Sequence, residues 1–233
     1  MRSRHLRRCR LRLVIAAGRN ILLPLAIVAM LNGAAFAQGV AGVGLITAIE
    51  GDVILVRNGQ TLKVAPSMAL QANDKVTTGI GSRVTIRFGD NSTLGLEESA
   101  TIIINEGVVG APASGIRSVG LLGGHLHTIF NAGLRGVGAA NFDVRTPNAI
   151  AGVRGTEFDT AYISGTPCPG FPNCLRYTDV AVLKGRVEVR NPLNPKAAPV
   201  IATGGYETTV PCEEPPATPS PLGLDKMLSP SYR

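Results

Sequence analysis

The residue types that most often carry out chemistry are scarce in this chain beyond its N-terminal segment, and its histidines are the first to consider. His125 and His127 are the only histidines after His5. Residues i and i+2 of a β-strand lie on one face, so the two imidazoles could bind one metal ion. No third ligand with suitable spacing accompanies them, and two polar residues on a solvated strand face are the simpler interpretation. The sequence therefore predicts no metal site and no cofactor.

Cysteines are the next candidates, and three of them follow the N-terminal segment: Cys168, Cys174 and Cys212. Cys168 and Cys174 flank a short loop rich in Pro and Gly, so we expect these two to form a disulfide in an oxidising compartment. Closing so small a loop stabilises a fold by roughly 2 kcal/mol. Cys212 is then left over as a free or intermolecular thiol. Metal binding by the pair is the alternative, but further Cys or His ligands at ligand spacing do not accompany it.

Carboxylates form no convincing acid–base pair. Glu97 and Glu98 are adjacent in the sequence, and neighbours in a strand point to opposite faces. Residues 89–92 resemble the start of a calcium loop, but the alternating oxygen ligands and the closing glutamate are missing, so we interpret them as a hairpin turn. The sequence contains no nucleophile elbow, zinc-protease motif or phosphate-binding loop. We therefore predict no catalytic residues and no enzyme activity, with an unrecognised active site as the alternative.

The elements that position these side chains are short strands. Val, Ile, Thr and Gly are abundant, Trp is absent, and no apolar stripe with helical periodicity is sustained beyond the N-terminal segment. Alternating runs between Gly-, Asn- and Asp-rich turns predict fourteen strands in a single all-β domain. The predicted strands are 45–49, 53–57, 62–64, 83–88, 93–96, 101–105, 118–122, 125–130, 142–146, 156–163, 179–183, 186–190, 200–202 and 206–210.

The most informative stretch is 142–160, in which two alternating runs flank a corner containing proline and glycine. Phe142 and Val144 are expected to face one side of the first strand, and Phe158 is expected to point inward from the second. The corner between the runs combines residues that interrupt or redirect a strand. Arg154, within this corner, is either part of the corner or a contact for an anion or a partner.

The N-terminus is typical of an export signal. Residues 1–37 hold seven arginines and no acidic residue, and an apolar run at 21–31 precedes the small-x-small pattern that ends at Ala37. Cleavage there makes Gln38 the first residue of a periplasmic or secreted protein with no membrane segment. An uncleaved anchor through 21–49 is the alternative, because that stretch carries no charge.

The charge of the chain follows from that segment. Without the seven arginines, 16 basic residues balance 16 acidic ones, so the net charge of +7 is no argument for a nucleic-acid partner. We divide the chain into a signal peptide at 1–37, a β domain at 38–210 and a flexible Pro-rich tail at 211–233. A partner-binding polyproline segment is the alternative for the tail.

Six segments together resemble the FecR domain family: residues 51–57, 73–79, 82–96, 142–158, 180–189 and 202–206. The residues of 142–158 that match the family motif most closely, and that we expect to be structural, are Thr146, Pro147, Gly152, Val153, Arg154, Gly155, Thr156 and Phe158. The resemblance implies an extracytoplasmic sensing or interaction module in which short strands form a coiled solenoid or roll. It supplies no catalytic residues.

The best-known members of that family are inner-membrane regulators that pass an envelope signal to a sigma factor, and they carry a helical cytoplasmic segment. Only about twenty residues precede the apolar run here. We therefore expect a stand-alone exported protein that binds a protein or a cell-envelope glycan, in an oligomeric state that the sequence does not indicate. A membrane-anchored envelope signalling component is the alternative.

Overall fold

The described part of the chain folds as an all-β structure, as its composition predicts. The computed structural model describes residues 43–89, 91–105, 118–131, 142–153 and 155–223, and these contain seventeen strands and no helix. The strands are β1 Gly44–Glu50, β2 Val53–Arg57, β3 Gln60–Lys63, β4 Ala69–Leu70, β5 Lys75–Thr78, β6 Arg83–Phe88, β7 Thr93–Leu96, β8 Thr101–Ile104, β9 Ser118–Phe130, β10 Phe142–Arg145, β11 Ile150–Val153, β12 Thr156–Ser164, β13 Arg176–Lys184, β14 Arg186–Arg190, β15 Val200–Thr203, β16 Tyr206–Pro211 and β17 Ser220–Pro221.

Hydrogen bonding arranges these strands in two rows that share β9. Row I has the order β4, β1, β6, β7, β9, β12, β13, β16, β17. Row II has the order β3, β2, β5, β8, β9, β10, β11, β14, β15. Neighbours are antiparallel except β9 and β10, which are parallel. The first half of β9 pairs within row II and the second half within row I, so this strand connects the rows.

The rows pack against each other through one hydrophobic core. Burial alternates along the strands, as in β6, where Val84, Ile86 and Phe88 are buried and Arg83 and Arg87 are exposed. Each such inward side chain stabilises the fold by roughly 1.5–3 kcal/mol. Both rows contribute to the same cluster, which includes Ile46, Leu94, Leu126, Phe158 and Val180 from row I and Leu55, Val76, Ile102, Leu121 and Val187 from row II.

The stretch 142–160 alternates as predicted, since Phe142, Val144 and Phe158 are buried. Its two runs, however, do not pair with each other: β10 lies in row II and β12 in row I. The corner between them contains a further strand, β11, which is antiparallel to β10. A tight turn allows this hairpin, because the N–H of Thr146 donates to the carbonyl of Ala149 at 2.9 Å.

The predicted break at residues 123–124 is wrong, because β9 continues through both glycines. Gly124 has a φ of +81°, and a Cβ there would lie 2.5 Å from the Cα of Ala100. The glycine therefore lets the strand bend closely over the chain beneath it while it passes from row II to row I. Strands β4, β5, β11 and β17 were not among the fourteen expected.

The expected disulfide is also wrong in its pairing. The bond joins Cys174 to Cys212, with Cα atoms 5.8 Å apart, and Cys168 is a buried free thiol. The reason is the β13–β16 ladder, which places Pro211 opposite Tyr177 and so brings Cys212 beside the residues that precede β13. Proximity along the sequence favours Cys168, but strand pairing brings the distant cysteine to Cys174.

Residues 211–223 pack on the body, contrary to the expectation of a flexible tail over this part of 211–233. The hydroxyl of Thr208 donates to the carbonyl of Ala217 at 2.6 Å, and the amide of Asn191 donates to the carbonyls of Cys212 and Glu214 at 2.8 Å each. Leu222 is buried, and β17 pairs with β16. Residues 224–233 lie outside the described residues, as does the predicted signal peptide.

Candidate functional site

Histidine and carboxylate side chains meet on the outer side of row I, where β9 and β12 pair. His127 lies opposite Asp159, and His125 lies opposite Ala161. Both histidines share one face of the strand, as their spacing predicts, and Glu157 precedes Asp159 by two residues on the same side of β12. We call His125, His127, Glu157 and Asp159 the imidazole–carboxylate cluster.

The buried carboxylate of Asp159 is the centre of this cluster. Its side chain is only 1% exposed, and its Oδ1 lies 2.9 Å from Nδ1 of His127 and 3.5 Å from Nε2 of His125. Glu157 lies farther out, with Oε1 3.9 Å from Nε2 of His127. The second carboxylate oxygen of Asp159 has no hydrogen-bond partner among the described residues. One acidic group is thus shared between two imidazoles.

Burial and charge move the pKa values of the two histidines in opposite directions. Burial lowers the pKa of His125, and the charge of Asp159 offsets this only in part. Burial also acts to lower the pKa of His127, but the hydrogen bond and the charge of Asp159 outweigh it and raise that pKa, with smaller contributions from Glu157 and Glu97. Burial raises the pKa of Asp159 itself, although both imidazoles oppose the change. The cluster therefore contains groups that exchange protons under different conditions.

Charged neighbours extend this cluster along row I. Nε of Arg83 lies 2.6 Å from Oε2 of Glu97, and Nζ of Lys184 lies 2.8 Å from Oε2 of Glu157. An open cavity of ≈ 590 Å³ lies beside the cluster, and its lining includes Arg83, Glu97 and His125 together with Glu98 and Tyr162. A polar ligand in this cavity would meet acidic, basic and imidazole groups at once.

The structure corrects the argument that Glu97 and Glu98 point to opposite faces of a strand. Both residues follow β7 and do not lie within it, so side-chain alternation does not apply to them, and both line this cavity. Each carboxylate is already engaged: Glu97 accepts from Arg83, and Oε2 of Glu98 accepts from the N–H of Gly81 at 2.7 Å. Within the described ranges, no group of three or more His, Cys, Asp or Glu side chains is arranged to hold a metal ion. The arrangement is suited to hydrogen bonding and proton exchange.

The family-motif residue Thr146 belongs to a buried polar network. Its hydroxyl lies 2.7 Å from that of Thr178, which donates to Oδ1 of Asn148 at 2.7 Å. The amide of Asn148 donates to the carbonyl of Val210 at 2.7 Å, and the hydroxyl of Thr146 accepts the N–H of Ala149 at 2.9 Å. The network joins the end of β10 in row II to β13 and β16 in row I.

The second half of the motif lies where β11 passes into β12. The hydroxyl of Thr156 donates to the carbonyl of Arg186 at 2.9 Å, and Phe158 is fully buried. A Cβ on Gly185 would lie 2.7 Å from the carbonyl oxygen of Gly155, so these two turns pack closely. These motif residues hold neighbouring strands together and do not line the cavity of row I.

The remaining motif residues are dispersed. Pro147 lies in the turn between β10 and β11, while Gly152 and Val153 line a second cavity of ≈ 720 Å³ on row II. Arg154 lies outside the described residues, as do Ala37 and Gln38 at the expected cleavage site. The described residues include no helix with the length and apolar composition that a membrane span requires.

Sequence reasoning missed Asp159 as a functional candidate. Alternation along 156–160 places its side chain outward, which is correct, but gives no reason for its burial. The missing information is the pairing of β12 with β9, which sets Asp159 beside His127. Glu157 and Asp159 are two residues apart, as are His125 and His127. These two matching i, i+2 patterns were the signal in the sequence that could have identified Asp159 as a candidate.

Comparison with known proteins identifies the domain. Residues 74–188 match the family model described as FecR protein. The chain carries a FecR domain. The matched residues extend from the start of β5 into β14, and they include the imidazole–carboxylate cluster and the motif residues of 142–158.

Two crystal structures of a candidate anti-sigma factor from Parabacteroides distasonis are similar to this FecR-domain chain. Each shares 18% sequence identity and a TM-score of 0.49, and the alignment covers 66% of this chain and 62% of the other. This chain thus matches less than two-thirds of the length of those proteins. A search of the curated proteins gives no match.

Proposed function

We propose that this chain is a non-enzymatic, exported FecR-domain protein that acts as a binding or sensing module of the bacterial cell envelope. The observation that carries this proposal is the FecR domain at residues 74–188. The export-type N-terminus supports it, because Ala37 ends a cleavage pattern that follows a basic and an apolar segment. The partner is a protein or a cell-envelope glycan.

The outer side of row I is the surface best suited to such a partner. Its cavity combines the carboxylates of Glu97 and Glu98 with the guanidinium of Arg83 and the imidazole of His125. Convergent polar groups in a cavity of this size supply the directional hydrogen bonds that fix a ligand. This proposal also includes the roll-like winding that the family resemblance implies. The chain alternates between rows I and II along its length. This path presents the outer side of row I as one surface.

Export is tested by fractionating a bacterial host that expresses the full chain. We expect an envelope or extracellular product whose intact mass corresponds to a first residue of Gln38. The control is a chain without residues 1–37, which should stay in the cytoplasm. A full-length product in the cytoplasm would contradict the proposal.

Binding is tested separately with the mature chain. Purified peptidoglycan fragments and envelope proteins are offered to wild type, to His125→Gln and Glu97→Gln in the row I cavity, and to Arg186→Gln on row II as a matched surface control. We expect the two cavity variants to lose at least tenfold in affinity and the control to retain it. Equal binding by all the variants would place the partner elsewhere, and turnover of a glycoside or ester panel that one cavity variant abolishes would favour an enzyme.

A second candidate is a membrane-anchored envelope signalling component. The observation that favours it is the uncharged stretch from Ile21 to Ile49, which is long enough to cross a bilayer. In the same fractionation, a membrane product that retains Arg2 and Arg19 would support this candidate.

A further inference from the structure

The strand β15 ends row II, and one of its sides faces no other described strand. It pairs with β14, and beyond its last residue the N–H of Gly204 donates to the carbonyl of Gly185 at 3.1 Å. The N–H and C=O groups of successive residues point to opposite edges of a strand, so those of Ala202, like those of Gly204, face β14. The N–H and C=O groups of Ile201 and Thr203 therefore point away from the row.

The other ends of the two rows are protected against strand pairing, whereas β15 is not. At the opposite end of row II, β3 carries Lys63; in row I, β4 has two residues and β17 contains Pro221. Lysine, proline and short length all discourage the addition of another strand. In contrast, β15 has four residues and no charge, and the side chain of Ile201 is 54% exposed.

We propose that a second copy of this chain pairs with β15 as an antiparallel strand about a two-fold axis at Ala202. In this register Ile201 lies opposite the partner's Thr203, and Thr203 lies opposite the partner's Ile201. In both of these pairs the backbone N–H and C=O groups point outward from each copy. Each pair therefore forms two hydrogen bonds between the copies. A register with the axis at Ile201 would set Thr203 opposite the partner's Pro199, which has no N–H to donate.

Charge on the outer face favours the same register. Glu188 lies beside Ile201, and Arg186 lies beside Thr203. With the axis at Ala202, Glu188 and the partner's Arg186 fall in one cross-strand line, whereas the other register aligns Glu188 with the partner's Glu188. These charges are three strand spacings apart, about 14 Å, so salt screens most of their interaction and their preference for this register is small. A ladder this short produces a weak, concentration-dependent dimer.

Sedimentation velocity of the mature chain from about 10 µM to about 1 mM tests the proposal, which does not depend on the identity of any envelope partner. We expect a shift from monomer to dimer in wild type. Ile201→Lys should weaken dimerisation at least tenfold, because it places a charge on the pairing edge. The matched control is Thr61→Lys on β3, which should dimerise as wild type does. A wild type that stays monomeric throughout, or two lysine variants that behave alike, would overturn the proposal.

Amide hydrogen exchange provides a readout without any substitution. The N–H groups of Ile201 and Thr203 should exchange more slowly at high than at low concentration, while the N–H of Thr61 should not change. Cross-linking then fixes the register: a mixture of Ile201→Cys and Thr203→Cys chains should form a disulfide between copies, because this register sets these two exposed residues opposite each other, whereas Ile201→Cys chains alone should not. Cross-linking of Ile201→Cys chains alone, or unchanged exchange at Ile201 and Thr203, would refute the arrangement.

Discussion

The link between Cys174 and Cys212 should contribute more to stability than any link between Cys168 and Cys174. The two bonded cysteines are 38 residues apart, and the loss of chain entropy in the unfolded state corresponds to about 4 kcal/mol for a loop of that size. The loop from Cys168 to Cys174 corresponds to about 2 kcal/mol. In a domain of this size, 4 kcal/mol is equivalent to a change in Tm of roughly 10 °C.

The test compares Cys168→Ser with the double variant Cys168→Ser/Cys212→Ser. The serine at 168 is present in both because a chain lacking only Cys212 could form the shorter link between the two remaining cysteines. Urea unfolding of the oxidised mature proteins should show the double variant less stable by about 4 kcal/mol. Reduction of the single variant should reproduce that loss. Equal stability of the two proteins, or a peptide map of wild type that links Cys168 to Cys174, would refute the β13–β16 pairing argument.

Three further predictions follow from buried contacts. Phe158→Ala removes a fully buried ring from the core and should cost about 3–5 kcal/mol in urea unfolding; a cost under 1 kcal/mol would contradict its central position. Gly185→Ala should cost about 2 kcal/mol more than Gly205→Ala, because both have positive φ but only a Cβ at Gly185 meets a backbone oxygen at 2.7 Å. His127→Gln should change how stability varies with pH: Asp159 raises the pKa of His127, so the stabilisation by protonated imidazole is complete below about pH 6.5 and is lost as pH rises through the raised pKa. The stability of wild type relative to this variant should therefore fall as the pH rises above about 6.5, and a constant difference would disprove the coupling.

Local alternation predicts much of the fold, because it depends only on residues next to one another. The run of β6 shows this well: its buried Val84, Ile86 and Phe88 can be identified from the sequence alone. Alternation also predicts that the side chains of Asp159 and Phe158 lie on opposite faces of β12. It fails where tertiary packing decides, as at Gly124, where a glycine that is typical of turns instead allows a strand to pass close over the chain.

Long-range pairing accounts for the features that the sequence did not predict. The partner of Cys174 depends on which strand lies beside β13, and the burial of Asp159 depends on which strand lies beside β12. Neither neighbour is encoded within a few residues of the side chain concerned. The histidine spacing was correctly interpreted as one shared face, but the carboxylate between the two imidazoles comes from a strand 32 residues away from His127.

The buried polar network around Thr146 differs in role from the charged pair on the outer side of row I. Thr146, Asn148 and Thr178 satisfy one another in the interior and join row II to row I, so their loss should unfold the domain before it affects recognition. Arg83 and Glu97, in contrast, lie on the outer side of row I and pair at the surface, where an ion pair contributes at most about 1 kcal/mol to stability. Substitution of either member of this surface pair should therefore cost little stability. Variants of this chain that lose binding but not stability should accordingly map to the row I cavity and not to the motif.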